Sequence, residues 1–368
     1  MNKNNLITIA LTLTLASTAA NAYEINENFS IGGVLAGAYQ CQDVSEVSAF
    51  SDTCEGAVLF QPEFSFHPTT SNEIFFKLGF AQGNGLNDTP PFIIPSWGAD
   101  LEDSVKNING SDRDYLLAAW YKHMFNFAND QQLAVSLGII DATDYLNGNA
   151  YAEDEYTQFM NTALTNGSSI NLVLPAYDLG LALQWDKGPW SLAAIVMDVN
   201  ENEDGNNFDF YSLQASYHVN NRFGNGNYRI GILAESRDFL TPDGTQLEDR
   251  AGLLLSFDQE FGQLIGGWIR FGGQREDAAL IYRAIYSGGI DIKGTAWGRG
   301  DDNIGLGYAY VEGGNLDIEQ SQVAEAYYRW QLGEVFGLTA DVQYMQDDYK
   351  SGSSLSGWIY GLRAAVEF

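Results

Sequence analysis

The end of the chain alternates without a break. Trp358, Tyr360, Leu362, Ala364, Val366 and Phe368 share one face, and Ile359, Gly361, Arg363, Ala365 and Glu367 share the other. An aromatic-rimmed apolar face backed by a face carrying charge suits a strand with lipid on one side and water on the other. The same period of two recurs along the chain. It marks segments near 29–40, 56–67, 73–82, 113–127, 131–141, 177–186, 188–199, 207–219, 227–236, 248–259, 263–274, 279–296, 303–312, 323–332, 335–346 and 357–368. Each is long enough for the roughly 9 to 11 residues that cross a bilayer at a tilt. These segments predict an all-β fold, a single-chain transmembrane antiparallel β-barrel of about 16 strands. An even count makes the first and last strands neighbours.

The connectors alternate between short and long. His67–Asn72, Asn126–Gln131, Asp186–Gly188, Phe261–Gly262 and Gly333–Glu334 are short, whereas Cys41–Glu55, Gly83–Asp112 and Ala142–Ala176 are long. Short periplasmic turns opposite longer external loops fit a barrel of the outer membrane with both termini periplasmic. Tyr39, Phe66, Tyr115, Phe127, Tyr177, Trp185, Tyr217, Trp330, Tyr344 and Trp358 fall at strand ends, where interfacial girdles place aromatic residues.

The N-terminus reads as an export signal, Met1–Ala22. It has Lys3 in a polar start, an apolar stretch from Leu6 to Ala16, and Ala20-Asn21-Ala22 as a cleavage site. The barrel then occupies 23–368. In an exported chain the only two cysteines, Cys41 and Cys54, read as a disulfide closing the first external loop.

The formal charge of −30 argues against nucleic acid as a partner. Acids gather in the loops, at Asp100–Asp103, Glu153–Glu155, Glu201–Asp204 and Asp347–Asp348. They serve solubility or, with bridging divalent cations, contact with outer-membrane lipid, including lipopolysaccharide. No zinc motif, phosphate loop or dinucleotide fingerprint is present, so no metal or cofactor is expected. Catalysis finds little support in the three histidines: only His218 shares an inward face with a nucleophile, Ser216.

If the apolar face meets lipid, the opposite face lines a lumen. Arg229, Arg250, Arg270, Arg283, Arg329 and Arg363 then point inward with Lys77, Lys122, Lys293, Glu63, Glu235, Glu325 and Glu367. Trp120, Trp268 and Tyr327 share that face. Either these charges stiffen the wall as ion pairs, or they form a constriction in which guanidinium forks bind hydroxyls and aromatic rings stack on sugars. In the longest connector, Tyr151–Met160 reads as a short helix on a third loop that either folds inward or caps the barrel externally; the inward fold is the expectation. Asp154, Glu155 and Tyr156 would there face the arginines Arg250, Arg270, Arg283 and Arg329.

The run Leu137–Asn161 (LGIIDATDYLNGNAYAEDEYTQFMN) resembles the third-loop region of carbohydrate-selective porins of the OprB family. Leu255–Gln259, Arg270–Gln274, Tyr286–Gly289, Trp297–Tyr310 and Leu338–Met345 extend the likeness over nearly all of the mature chain. The resemblance implies a sixteen-stranded barrel passing small neutral sugars by facilitated diffusion, with an inward loop and arginines at the constriction. A general diffusion porin differs only in that constriction and stays open as the alternative. Homo-oligomer and monomer are equally compatible with the lipid-facing registers.

Overall fold

The computed structural model describes residues 22–45, 52–89, 91–128, 130–165, 174–352 and 354–368. The expected signal Met1–Ala22 lies outside them except for Ala22, as do 46–51 and 166–173 of two long connectors. Sixteen strands close into one antiparallel barrel. They are β1 (Phe29–Ser45), β2 (Thr53–Thr69), β3 (Asn72–Leu78 continued by Phe80–Gln82), β4 (Leu116–Phe127), β5 (Gln131–Ile140), β6 (Asp178–Lys187), β7 (Trp190–Val199) and β8 (Phe208–Asn221). They continue as β9 (Gly224–Leu240), β10 (Leu247–Phe261), β11 (Ile265–Gln274), β12 (Tyr282–Lys293), β13 (Asn303–Gly313), β14 (Ile318–Leu332), β15 (Phe336–Tyr349) and β16 (Leu355–Glu367). A short strand, Tyr23–Asn26, pairs with the start of β1.

Each strand pairs with the next, and β16 returns to β1 with Arg363 opposite Ala38. The last residue completes the seam: Gly33 N donates to Phe368 O at 2.8 Å, and Phe368 N to Gly33 O at 3.0 Å. Closure leaves no open edge, a requirement for backbone polar groups inside a bilayer.

The alternation read from the sequence sets which face is which. In β16, Trp358, Tyr360 and Leu362 are exposed on the outside, while Ile359 and Arg363 are buried within. In β6, Leu179, Leu181 and Leu183 face out and Ala182 and Gln184 face in. Aromatic pairs rim the outer surface, with Trp190 on Tyr217 at 4.5 Å and Tyr344 on Trp358 at 5.2 Å.

Three details differ from the expected elements. Several hairpins rise further than one membrane crossing, so β9 and β10 run to Leu240 and from Leu247. Strand β12 is shorter, because Gly294–Trp297 turns as a 3-10 helix. Tyr177 leaves the girdle: its backbone takes φ +66°, and its buried hydroxyl donates to Asp100 at 2.5 Å.

Candidate functional site

The described residues of two external connectors, L2 (83–89 and 91–115) and L3 (141–165 and 174–177), run against the inner wall. L3 is bound there by three buried side chains. The Arg270 guanidinium donates to the carbonyls of Thr165 (2.8 Å), Asn147 (2.9 Å) and Ala152. Arg363 donates to Glu155 O at 2.7 Å and Gln158 O at 2.8 Å. The Glu325 carboxylate accepts from Met160 N at 2.6 Å and Asn161 N at 2.9 Å. A buried polar group is costly unless hydrogen-bonded, and these three spend hydrogen bonds on loop backbone that would otherwise lack partners. Phe159 meets Trp268 and Tyr327 edge-on at 5.6 and 5.1 Å. Gly307 makes the space, since a Cβ there would lie 2.8 Å from the Phe159 ring.

L2 also folds inward, which its lack of period did not announce. Trp97 is buried, and its indole N–H donates to Glu155 O at 2.9 Å. Ser96 O accepts from Gln343 at 2.9 Å and Gln40 at 3.2 Å. Gly98 N donates to Met160 O at 2.8 Å, which couples the two loops. The signal was present in composition: Ile94, Trp97 and Leu101 are apolar residues that an external loop in water would not need.

The expected site residues therefore separate into groups. Arg270, Glu325, Trp268 and Tyr327 come together beneath L3 as its seat. Arg250 lies near the external end, buried between Glu203, Ala279 O and the Phe239 ring, 3.8 Å from the ring centre. Arg283 was expected inside, and the structure corrects this. A bulge between Tyr282 and Ala284 shifts the parity, so Tyr282 points in to Ser321 while Arg283 lies on the outer surface with Glu276, Glu312 and Tyr286. Arg329 is mostly buried, with a small exposed fraction, 3.3 Å from Glu367.

Tyr151–Met160 forms turns instead of the expected helix. The Asp154 carboxylate accepts from Tyr156 N at 2.7 Å and from Thr157 Oγ1 at 2.7 Å, so it braces its own turn. Tyr156 packs beside Met160 and Trp97. Burial, reinforced by Asp154 and Asp100, pushes the Glu155 carboxyl up to about 8. Burial and neighbouring Asp141 push Asp144 up to about 7. Glu153 is raised by burial, against the pull of Arg270 and Arg229.

Four ion pairs line the remaining inner wall: Lys77–Glu63 at 3.8 Å, Lys122–Glu73 at 3.1 Å and Arg329–Glu367 at 3.3 Å, all partly exposed, and Arg229–Asp258 at 2.7 Å, whose carboxylate is buried. Among the acids of L3, Glu153 lies near Arg229 and Glu155 near Lys77, while Asp154 lies between the acid Glu367 and the seating residue Arg363. Among the described residues, no three acids, histidines or cysteines are arranged to hold a metal ion. At the external rim, Cys41 and Cys54 are register partners on β1 and β2 and are joined as a disulfide.

A closed barrel whose lumen is narrowed by two inward connectors and walled with paired charges is a non-enzymatic channel of the outer membrane. Residues 81–368 match the model of the carbohydrate-selective porin, OprB family, and the chain belongs to that family. It is similar to a high-pH structure of Pseudomonas putida OprB, with TM-score 0.72 and 14% identity over 93% of this chain and 94% of that one. It is also similar to the outer membrane channel DcaP of Acinetobacter baumannii, with TM-score 0.58 and 11% identity over 94% of this chain and 99% of that one. An uncharacterized protein of Aquifex aeolicus (strain VF5) is 28% identical over 306 residues, 81% of this chain and 86% of its own.

Proposed function

We propose that this porin passes small neutral carbohydrates, glucose-like in size, by facilitated diffusion through a constriction built on the L3 tip. One side of it is Glu153, Asp154 and Glu155. The other is Arg229, Arg329 and Lys77, each beside a wall carboxylate. The observation that carries this is the division of labour among the charges. Arg270, Arg363 and Glu325 are consumed in seating the loop, whereas Lys77–Glu63 and Arg329–Glu367 keep partial exposure around the tip, and Arg229 does so beside a buried Asp258. Such pairs offer adjacent donors and acceptors to vicinal hydroxyls without a net charge that would demand an ionic solute. The outward aromatic rim and acidic external loops support contact with outer-leaflet lipid, including lipopolysaccharide.

The test is block of ion current by glucose across planar bilayers, comparing the native channel with Arg229→Gln combined with Arg329→Gln. Weaker, still saturable block is expected, because L3 keeps its anchors. Unchanged block would move the constriction elsewhere. An absence of saturation in the native channel would favour a general diffusion porin.

A further inference from the structure

On the inner wall between the constriction and the periplasmic turns, strands β1 to β5 carry one continuous row. Register places Ser30 opposite Ser65, Ser65 opposite Phe75, Phe75 opposite Trp120, and Trp120 opposite Gly138. The two rings stack with centres 4.8 Å apart and planes 18° apart. Trp120 is wedged under the base of L3 and is only 9% exposed. Phe75 remains partly open. One of its faces is taken by the indole, so its other face looks toward β2 and β1, where the row offers only the two serines. The result is a recess with an aromatic wall and a floor of small side chains.

Charge pairs bound this recess above and below. One step toward the periplasm, Glu73 accepts from Ser65 Oγ at 2.7 Å and Lys122 Nζ at 3.1 Å. The Lys122 ammonium also sits 4.5 Å from the Trp120 ring centre. One step toward the constriction lies the Glu63–Lys77 pair. An aromatic face flanked by hydroxyl, carboxylate and ammonium matches a pyranose, whose C–H face is apolar and whose rim is hydroxylated. We propose that Phe75 forms a second saccharide subsite on the periplasmic side of the constriction, stacking on a neutral monosaccharide as it leaves.

This rests on the sugar-channel reading above, and the test separates the two. Glucose is added from the periplasmic side of oriented single channels, and the half-blocking concentration is read for the native protein, Phe75→Leu, Phe75→Tyr and Ser65→Leu. Phe75→Leu is expected to raise it about threefold to tenfold, the range typical of an aromatic contact. Phe75→Tyr should retain block, and Ser65→Leu, which fills the floor and leaves the ring in place, should weaken it. Potassium chloride conductance and heat-modifiable migration on gels check assembly. Should Phe75→Leu fail to assemble, Ser65→Leu decides alone. Saturable native block with unchanged Phe75→Leu and Ser65→Leu values overturns the subsite only. No saturable native block overturns the sugar channel and the subsite together.

Discussion

Glu325→Ala addresses the seat of L3 directly. The substitution removes the carboxylate that accepts from Met160 N and Asn161 N and leaves both amides buried without an acceptor. An amide left buried without its acceptor costs roughly 1–3 kcal/mol, so the two together are worth about 3 kcal/mol of loop docking. At about 1.4 kcal/mol per factor of ten, the undocked population rises about 100-fold. Arg270, Arg363 and the Phe159 contacts still hold the loop, so the barrel itself should remain intact. The assay is amide exchange in detergent or nanodiscs at Leu164 and Thr165, whose N–H groups donate to Asn161 O inside the loop and do not touch Glu325. Their protection should fall about 100-fold, with noisier single-channel current. Unchanged protection at both amides and quiet, native conductance would refute the assignment of Glu325 as an anchor.

Other expectations follow from the same geometry. Glu155 and Asp144 hold their protons to about 8 and about 7. As pH rises from about 6 to 9 they ionise, and reversal potentials in a salt gradient should shift toward cation preference. Because both are raised above their free-chain values, their contribution to loop docking is complete below the ordinary carboxylate range and is lost as pH climbs through 7 to 8. Loop amides should therefore exchange faster at pH 9 than intrinsic chemistry requires, and a pH-flat reversal potential would contradict this. Gly138→Ala should destabilise the barrel by roughly 2 kcal/mol or more in urea unfolding, since φ is +145° and a Cβ would lie 2.3 Å from Ala119 O. Reducing Cys41–Cys54 should lower barrel stability by about 3 kcal/mol on the chain-entropy model while leaving conductance unchanged, because β1 and β2 stay paired down to Phe29–Phe66.

The barrel was legible because a lipid-facing strand must alternate, and Trp358, Tyr360 and Leu362 could face only one way. Strand ends were less legible: above the membrane the hairpins continue on ladder hydrogen bonds and local contacts such as Phe208 on Phe239, and a period of two in hydropathy stops marking them. Arg283 shows the cost of one local irregularity, since a single bulge reverses a side chain that strict parity would turn inward. The site was legible only as a set of inward charges. Arg270 and Arg329 look alike in sequence; one is buried under L3 and the other keeps a small exposed fraction beside Glu367. That distinction depends on where a distant loop comes to rest. L2 left a fainter trace, the apolar residues Ile94, Trp97 and Leu101 within a polar connector.

The most direct measurement is uptake into proteoliposomes of glucose, a disaccharide and an uncharged amino acid of glucose-like size. A sugar-selective constriction predicts faster, saturable uptake of glucose than of the amino acid, with the disaccharide slower. Rates ordered by size alone, without saturation, would contradict it.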